Sequence, residues 1–126
     1  MSQIQGKCHC GHNEFSVQGA PEFQFVCYCK GCQVLNGGGH LCGVMFDETN
    51  LTPSENTRTY SYDGGSGRSI IIHFCPTCST QLYAYPTEYK GKVVVRANVM
   101  NESYEFNPQQ NLFTESAFSW DQPKDK

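Results

Sequence analysis

Long apolar runs are missing from this sequence: the longest are Ile70-Ile71-Ile72 and Val93-Val94-Val95, against the roughly 20 residues that a spanning helix needs. No membrane association is expected. Excess positive charge is missing too. Nine Lys+Arg face twelve Asp+Glu, a net charge of -3, so neither nucleic acid nor an anionic lipid surface is an expected partner. No window sustains an apolar i, i+3, i+4, i+7 stripe for three turns, which argues against a long helix. The segment from Met1 to Lys7 lacks the charged and apolar regions of a secretory leader, so a reducing, cytoplasmic setting is expected. Hydrophobic content is 38% of 126 residues and mean hydropathy is -0.50, enough for one modest core. Something besides burial is expected to hold the chain together.

Cysteine is what the chain has in quantity. Eight are present, about 6% of the residues, below the roughly 8–10% that marks a secreted disulfide scaffold. Eight thiols allow 105 disulfide connectivities, and a reducing compartment disfavours all of them. Seven of the eight fall into three tight groups: Cys8 and Cys10; Cys27, Cys29 and Cys32; Cys75 and Cys78. A zinc ion takes four ligands in a tetrahedron, and a CxxC turn brings two thiolates to adjacent corners without straining the backbone.

Stoichiometry narrows the pairing. Cys8 and Cys10 with Cys75 and Cys78 make a closed, structural four-thiolate site, whose binding energy compensates for the lean core. Cys27, Cys29 and Cys32 then supply three thiolates to a second zinc and leave one position for water or a substrate atom. Cys42 or His40 could instead close that second site. Cys42 also reads as a small hydrophobe on a strand or as a reactive thiol. His12 and His73 could ligate too, though a lone histidine is more often a surface or hydrogen-bonding residue, and His9, between two ligands, is expected to point away from the metal.

The rest of the chain alternates strand signals with turn punctuation. Strands are expected over 13–18, 23–27, 41–46, 57–62, 70–74, 81–85 and 93–97, separated by the glycine-rich stretches 37–39, 63–67 and 90–92. The fold class is all-β, a small zinc-stabilised antiparallel domain with little helix. It is read as a single domain over 1–126, with an ordered core over about 6–120 and a frayed tail over 121–126.

Three groups of residues carry a family resemblance: Gly6-Lys7-Cys8-His9-Cys10-Gly11, Cys27-Tyr28-Cys29-Lys30-Gly31-Cys32, and Ser66-Gly67 with Phe74-Cys75-Pro76-Thr77-Cys78. In this order they resemble the GFA family of glutathione-dependent formaldehyde-activating enzymes and centromere-protein-V-like proteins, from about Gly6 to Trp120. The resemblance implies a zinc-clipped β "tent" and two zincs per chain. The structural zinc would sit on Cys8, Cys10, Cys75 and Cys78, and the active-site zinc on Cys27, Cys29 and Cys32. It implies a carbon-sulfur lyase activity that joins glutathione and formaldehyde reversibly, with a small thiol adduct as partner. The rival reading is a non-catalytic module with two structural zincs that engages a protein.

Departures from the family pattern fall at Ser79, where glycine is usual, at Asn101 beside Glu102, in place of paired aspartates, and at Asn111, in place of histidine. They point to a different substrate or a weaker activity. Three thiolates and Zn²⁺ sum to a formal −1, so an anionic thiol needs cationic help. Lys30, Arg68 and Arg96 are the candidates, each also readable as a solvated surface cation. Tyr28, Tyr60, Tyr62, Phe113 and Phe118 read as core or pocket aromatics. Trp120, matching a terminal tryptophan of the family, is expected to cap the core.

Overall fold

The computed structural model describes residues 3–101 and 103–123, so Glu102 lies outside the described residues. Among the described residues, ten strands and one short α-helix follow in order. They are β1 (Gln3–Lys7), β2 (Glu14–Gln18), β3 (Phe23–Cys27), α1 (Lys30–Asn36), β4 (Leu41–Asp47), β5 (Leu51–Thr52), β6 (Arg58–Asp63), β7 (Ser69–Phe74), β8 (Gln81–Pro86), β9 (Lys92–Arg96) and β10 (Gln110–Leu112). The all-β expectation holds, and each of the seven expected strands is present within a residue or so of its bounds.

The strands form two sheets. One is β1-β2-β5; the other runs β10-β3-β4-β9-β8-β7-β6. Among the described residues every ladder is antiparallel except one: β10 lies parallel to β3, with Leu112 opposite Cys27. The expected antiparallel architecture holds apart from this one pair. A chain segment returning after some 80 residues has no hairpin to fix its direction, so either sense is open to it.

Strand alternation sorts the large sheet into two faces. On β9, Val93 and Val95 join a core with Phe15 and Val17 of β2, Val44 and Phe46 of β4, and Leu82 and Tyr83 of β8. This core lies between the sheets, and Phe15 meets Tyr83 edge-on at 5.3 Å. Val94 points the other way, into a second cluster with Phe25, Leu41, Cys27, Cys29 and Cys32. The same period of two that builds the core therefore places the three-cysteine group on the opposite face of the sheet.

Helix α1 is short because its ends are fixed. Cys29 caps the N-terminus, its Sγ accepting from the Cys32 N–H at 3.4 Å, and Gly37 ends it in the left-handed conformation at φ 77. Buried Gln33 anchors the helix by donating to the carbonyls of Tyr28 and Ser116 at 2.9 and 2.8 Å.

Candidate metal centres and the adjoining cavity

The first cluster joins two similar turns. Cys8 follows β1, and its N–H bonds the Asn13 carbonyl; Cys75 follows β7, and its N–H bonds the Thr80 carbonyl. Each turn places a second cysteine, Cys10 or Cys78, beside the first. The residue after it is left-handed in both turns, Gly11 at φ 82 and Ser79 at φ 73. The four Sγ atoms lie within 4.8 Å of one another. Cys10 stands 3.6 Å from Cys8 and 3.8 Å from Cys75. Tetrahedral zinc with bonds near 2.3 Å needs sulfurs about 3.8 Å apart, whereas a disulfide needs about 2.05 Å. All eight cysteines are free thiols, so the disulfide alternative is removed and the donor set fits a soft divalent ion.

Neighbouring groups favour the thiolate at Cys78 and Cys75, whereas at Cys10 the pull of the His12 backbone is outweighed by desolvation and by sharing with Cys8, Cys78 and Cys75, which push it up to about 12. The Thr80 hydroxyl, 3.2 Å from Cys78 Sγ, brings the Cys78 pKa down to about 5. Backbone N–H groups of Cys78 and Thr77 and the buried Asn13 amide overcome the desolvation of Cys75 and lower its pKa. Asn13 Nδ2 has no oxygen or nitrogen partner among the described residues; a sulfur anion beside it gives that donor a use.

The second cluster takes Cys27 from the end of β3, Cys29 from the helix cap and Cys32 from the first turn of α1. All three are buried, with sulfurs within 4.8 Å of one another. The sulfurs share protons. Thiols of Cys27 and Cys32, with the N–H groups of Cys32 and Gly65, hold Cys29 far below the usual thiol range. In return, sharing with Cys29 pushes Cys27 up to about 11, and sharing with Cys27 and Cys29 pushes Cys32 higher still.

These sulfurs line a cavity of about 500 Å³ on the face of the large sheet opposite the main core. Arg96 lines it as well, at 3% exposure. Burial lowers its pKa, and Tyr62, Cys32 and Cys27 oppose that shift. Its Nε and Nη2 donate to Gln81 Oε1 at 3.4 and 3.0 Å, and Gln81 Nε2 donates onward to the Leu35 carbonyl of α1 at 2.8 Å. No carboxylate lies within ion-pair distance of Arg96 among the described residues. A guanidinium does not deprotonate in a protein, and a buried charge needs a counter-charge. The three cysteines are the anion source facing it. Burial pushes the Tyr62 phenol up, so it remains a neutral donor beside Cys32.

The other candidates from the sequence lie elsewhere. Cys42 sits opposite Val26 on β4, one residue out of phase with Leu41, which lies opposite Cys27. Strand alternation therefore turns it to the other face, and it is not in the three-cysteine group. His40 is held by Asp121 Oδ2 and lies 5.2 Å from the Tyr28 ring, so it does not close the site either. That Asp121 contact ties down the start of the tail, while residues 124–126 lie outside the described residues. His73 bonds Thr57, and neither His9 nor His12 belongs to a ligand group. Lys30 lies 5.2 Å over the Phe118 ring and does not line the cavity. Arg68 does line it, from an exposed position. Trp120 is 70% exposed and stacks on Phe118 at 4.7 Å, so it does not cap the core.

Ser79 belongs to the first cluster's turn, and neither Asn101 nor Asn111 lines the cavity. Sequence reasoning missed the apolar wall of the cavity and, behind its lining, Gln81, which positions Arg96. The wall's signal was the odd-numbered phase of β3 and β4: Phe23, Phe25, Leu41, Met45.

Two groups of thiols at metal-ligand spacing, mounted on a two-sheet frame, define a small cysteine-rich β protein with two sites that could hold a metal ion. The sequence profile of the GFA family, described as glutathione-dependent formaldehyde-activating enzyme, matches residues 3–116, and the chain belongs to that family. No curated protein matches it in sequence. Among solved structures, the crystal structure of a Rhodobacter sphaeroides protein is similar in fold. Its TM-score is 0.65 at 19% identity, over 85% of this chain and 98% of that one.

Proposed function

We propose that the chain is a zinc-dependent carbon-sulfur lyase acting on the adduct of a thiol, glutathione or a similar small thiol, with an aldehyde. One zinc would be held by Cys8, Cys10, Cys75 and Cys78, and a second by Cys27, Cys29 and Cys32. The observation that carries the reading is the second group: three sulfurs, and no fourth ligand among the described residues, at the wall of a cavity that also holds a buried cation. Zinc there would supply a Lewis acid for a sulfur atom.

The chain's own residues do the rest. Arg96 offsets the formal −1 of a zinc with three thiolates, leaving the buried centre neutral. Gln81 fixes the guanidinium relative to α1, and with it the distance to Cys32. The Tyr62 hydroxyl and the guanidinium offer donors to a substrate oxygen in the cavity. In the cleavage direction the C–S bond breaks with its electron pair passing to sulfur, and the adduct's hydroxyl becomes the aldehyde carbonyl. The hydroxyl proton balances the thiolate, and no oxidant or reductant takes part. We assign the activity to a single domain in the cytoplasm, where the seven ligand thiols stay reduced.

The test pairs metal content with turnover. Protein made under reductant should carry two zincs and cleave S-hydroxymethylglutathione or a related adduct. Cys29→Ser should keep the fold and one zinc and lose the turnover. Two inert zincs with no turnover of any thiol adduct would refute the lyase reading in favour of the structural module.

A further inference from the structure

We infer that the aldehyde half of the substrate carries an apolar group, aryl or branched alkyl, and is not a one-carbon unit; this rests on the lyase reading above. A volume of about 500 Å³ falls within the range of sites for drug-sized ligands. It would hold about 17 waters at about 30 Å³ each, and beside the thiol half a one-carbon aldehyde displaces only two or so of them. The wall offered to the aldehyde substituent is apolar: Phe23, Phe25, Met45, Ile70, Val94 and Phe113. Phe23 and Phe25 stack at 5.6 Å, making a flat aromatic surface along β3.

Two close approaches hold this wall in shape. A Cβ on Gly43 would come 2.6 Å from the Phe25 ring and 2.9 Å from Val94, so the floor closes only over a glycine. A Cβ on Gly65, in the turn after β6, would meet the Phe113 ring at 2.7 Å. Phe113 itself is left-handed at φ 57, ψ 43, a conformation an aromatic residue holds only when its surroundings impose it. The strain places its ring beside Gly65, whose N–H serves Cys29. The wall and the sulfur site are thus built together.

Charge in the lining points the same way. Arg96 is matched by the cysteines and Gln81. The other two charged lining residues, Arg68 and Glu88, are exposed. They suit the charged groups of the thiol half and leave the inner wall to the substituent on the aldehyde carbon.

The experiment uses the zinc-loaded full chain and hemithioacetals of glutathione with formaldehyde, isovaleraldehyde and benzaldehyde. We expect kcat/KM for the two apolar adducts to exceed that for the formaldehyde adduct by at least about tenfold. M45W, which fills the wall, should shrink that ratio at least about tenfold. Calorimetric binding of benzyl mercaptan and 2-mercaptoethanol provides a second readout that needs no turnover, and benzyl mercaptan should bind at least about tenfold tighter. Equal or reversed preferences in both assays overturn the inference and leave the lyase reading standing. Absence of turnover with every adduct, alongside tighter benzyl mercaptan binding, refutes the lyase reading and supports an apolar ligand.

Discussion

Ser79 offers a clean test of how the first cluster is built. It is exposed, its side chain has no hydrogen bond among the described residues, and its φ of 73 is the left-handed conformation that its counterpart Gly11 adopts at 82. A side chain costs roughly 1–2 kcal/mol in that region. Glycine gives back about 0.4–1 kcal/mol through the freer unfolded chain. S79G should therefore stabilise the protein by about 0.5–1 kcal/mol. With an unfolding entropy of about 2.1 cal/mol/K per residue, the melting temperature should rise by about 2–4 °C. The reciprocal change, G11S, should lower it by a similar amount, since nothing lies within 4 Å of a Cβ placed there and only the dihedral is at issue. Thermal unfolding at one fixed zinc concentration reads both, because free metal shifts the midpoint by mass action. A neutral or destabilising S79G together with a neutral G11S would refute the reasoning.

Other outcomes follow from the same contacts. R96M removes the cation facing the second cluster; chelator competition should show that site losing metal affinity by about 10–100-fold while the first site holds its ion. G43A forces a methyl against Phe25 and Val94, and chemical denaturation should report a loss of about 1–3 kcal/mol. Burial lowers the His73 pKa below 6.5, so protonation favours the unfolded chain. Its contribution to stability is whole above about pH 6.5 and is lost as pH falls through the folded value. In melts of the zinc-loaded protein from pH 7.5 downward, H73F should flatten that part of the curve relative to the parent.

Local patterning makes much of this legible in the amino-acid sequence alone. The runs Phe23–Cys27, Ser69–Phe74 and Lys92–Arg96 are β-branched or aromatic and bounded by turn residues, and they form strands. The cysteine spacings anticipated the two groups that the fold brings together, because a CxC or CxxC turn is itself a local structure. What escaped depended on tertiary context. Gln3–Lys7 has a single large apolar residue and becomes a strand only by pairing with Glu14–Gln18. Gln110–Leu112 is defined by its parallel pairing to β3. Helix α1 is too short for a periodic signal, although Gly37 marked its end. The burial of Arg96 follows from strand phase: it ends β9 on the face of Val94, where a charge has meaning only beside the thiols.

Zinc stoichiometry measured on intact protein, parent beside C29S, tests the central claim most directly. Native mass spectrometry of protein prepared under reductant should show two zincs in the parent and one in a folded C29S. A parent that carries no zinc, or cysteines joined as disulfides, would contradict the account.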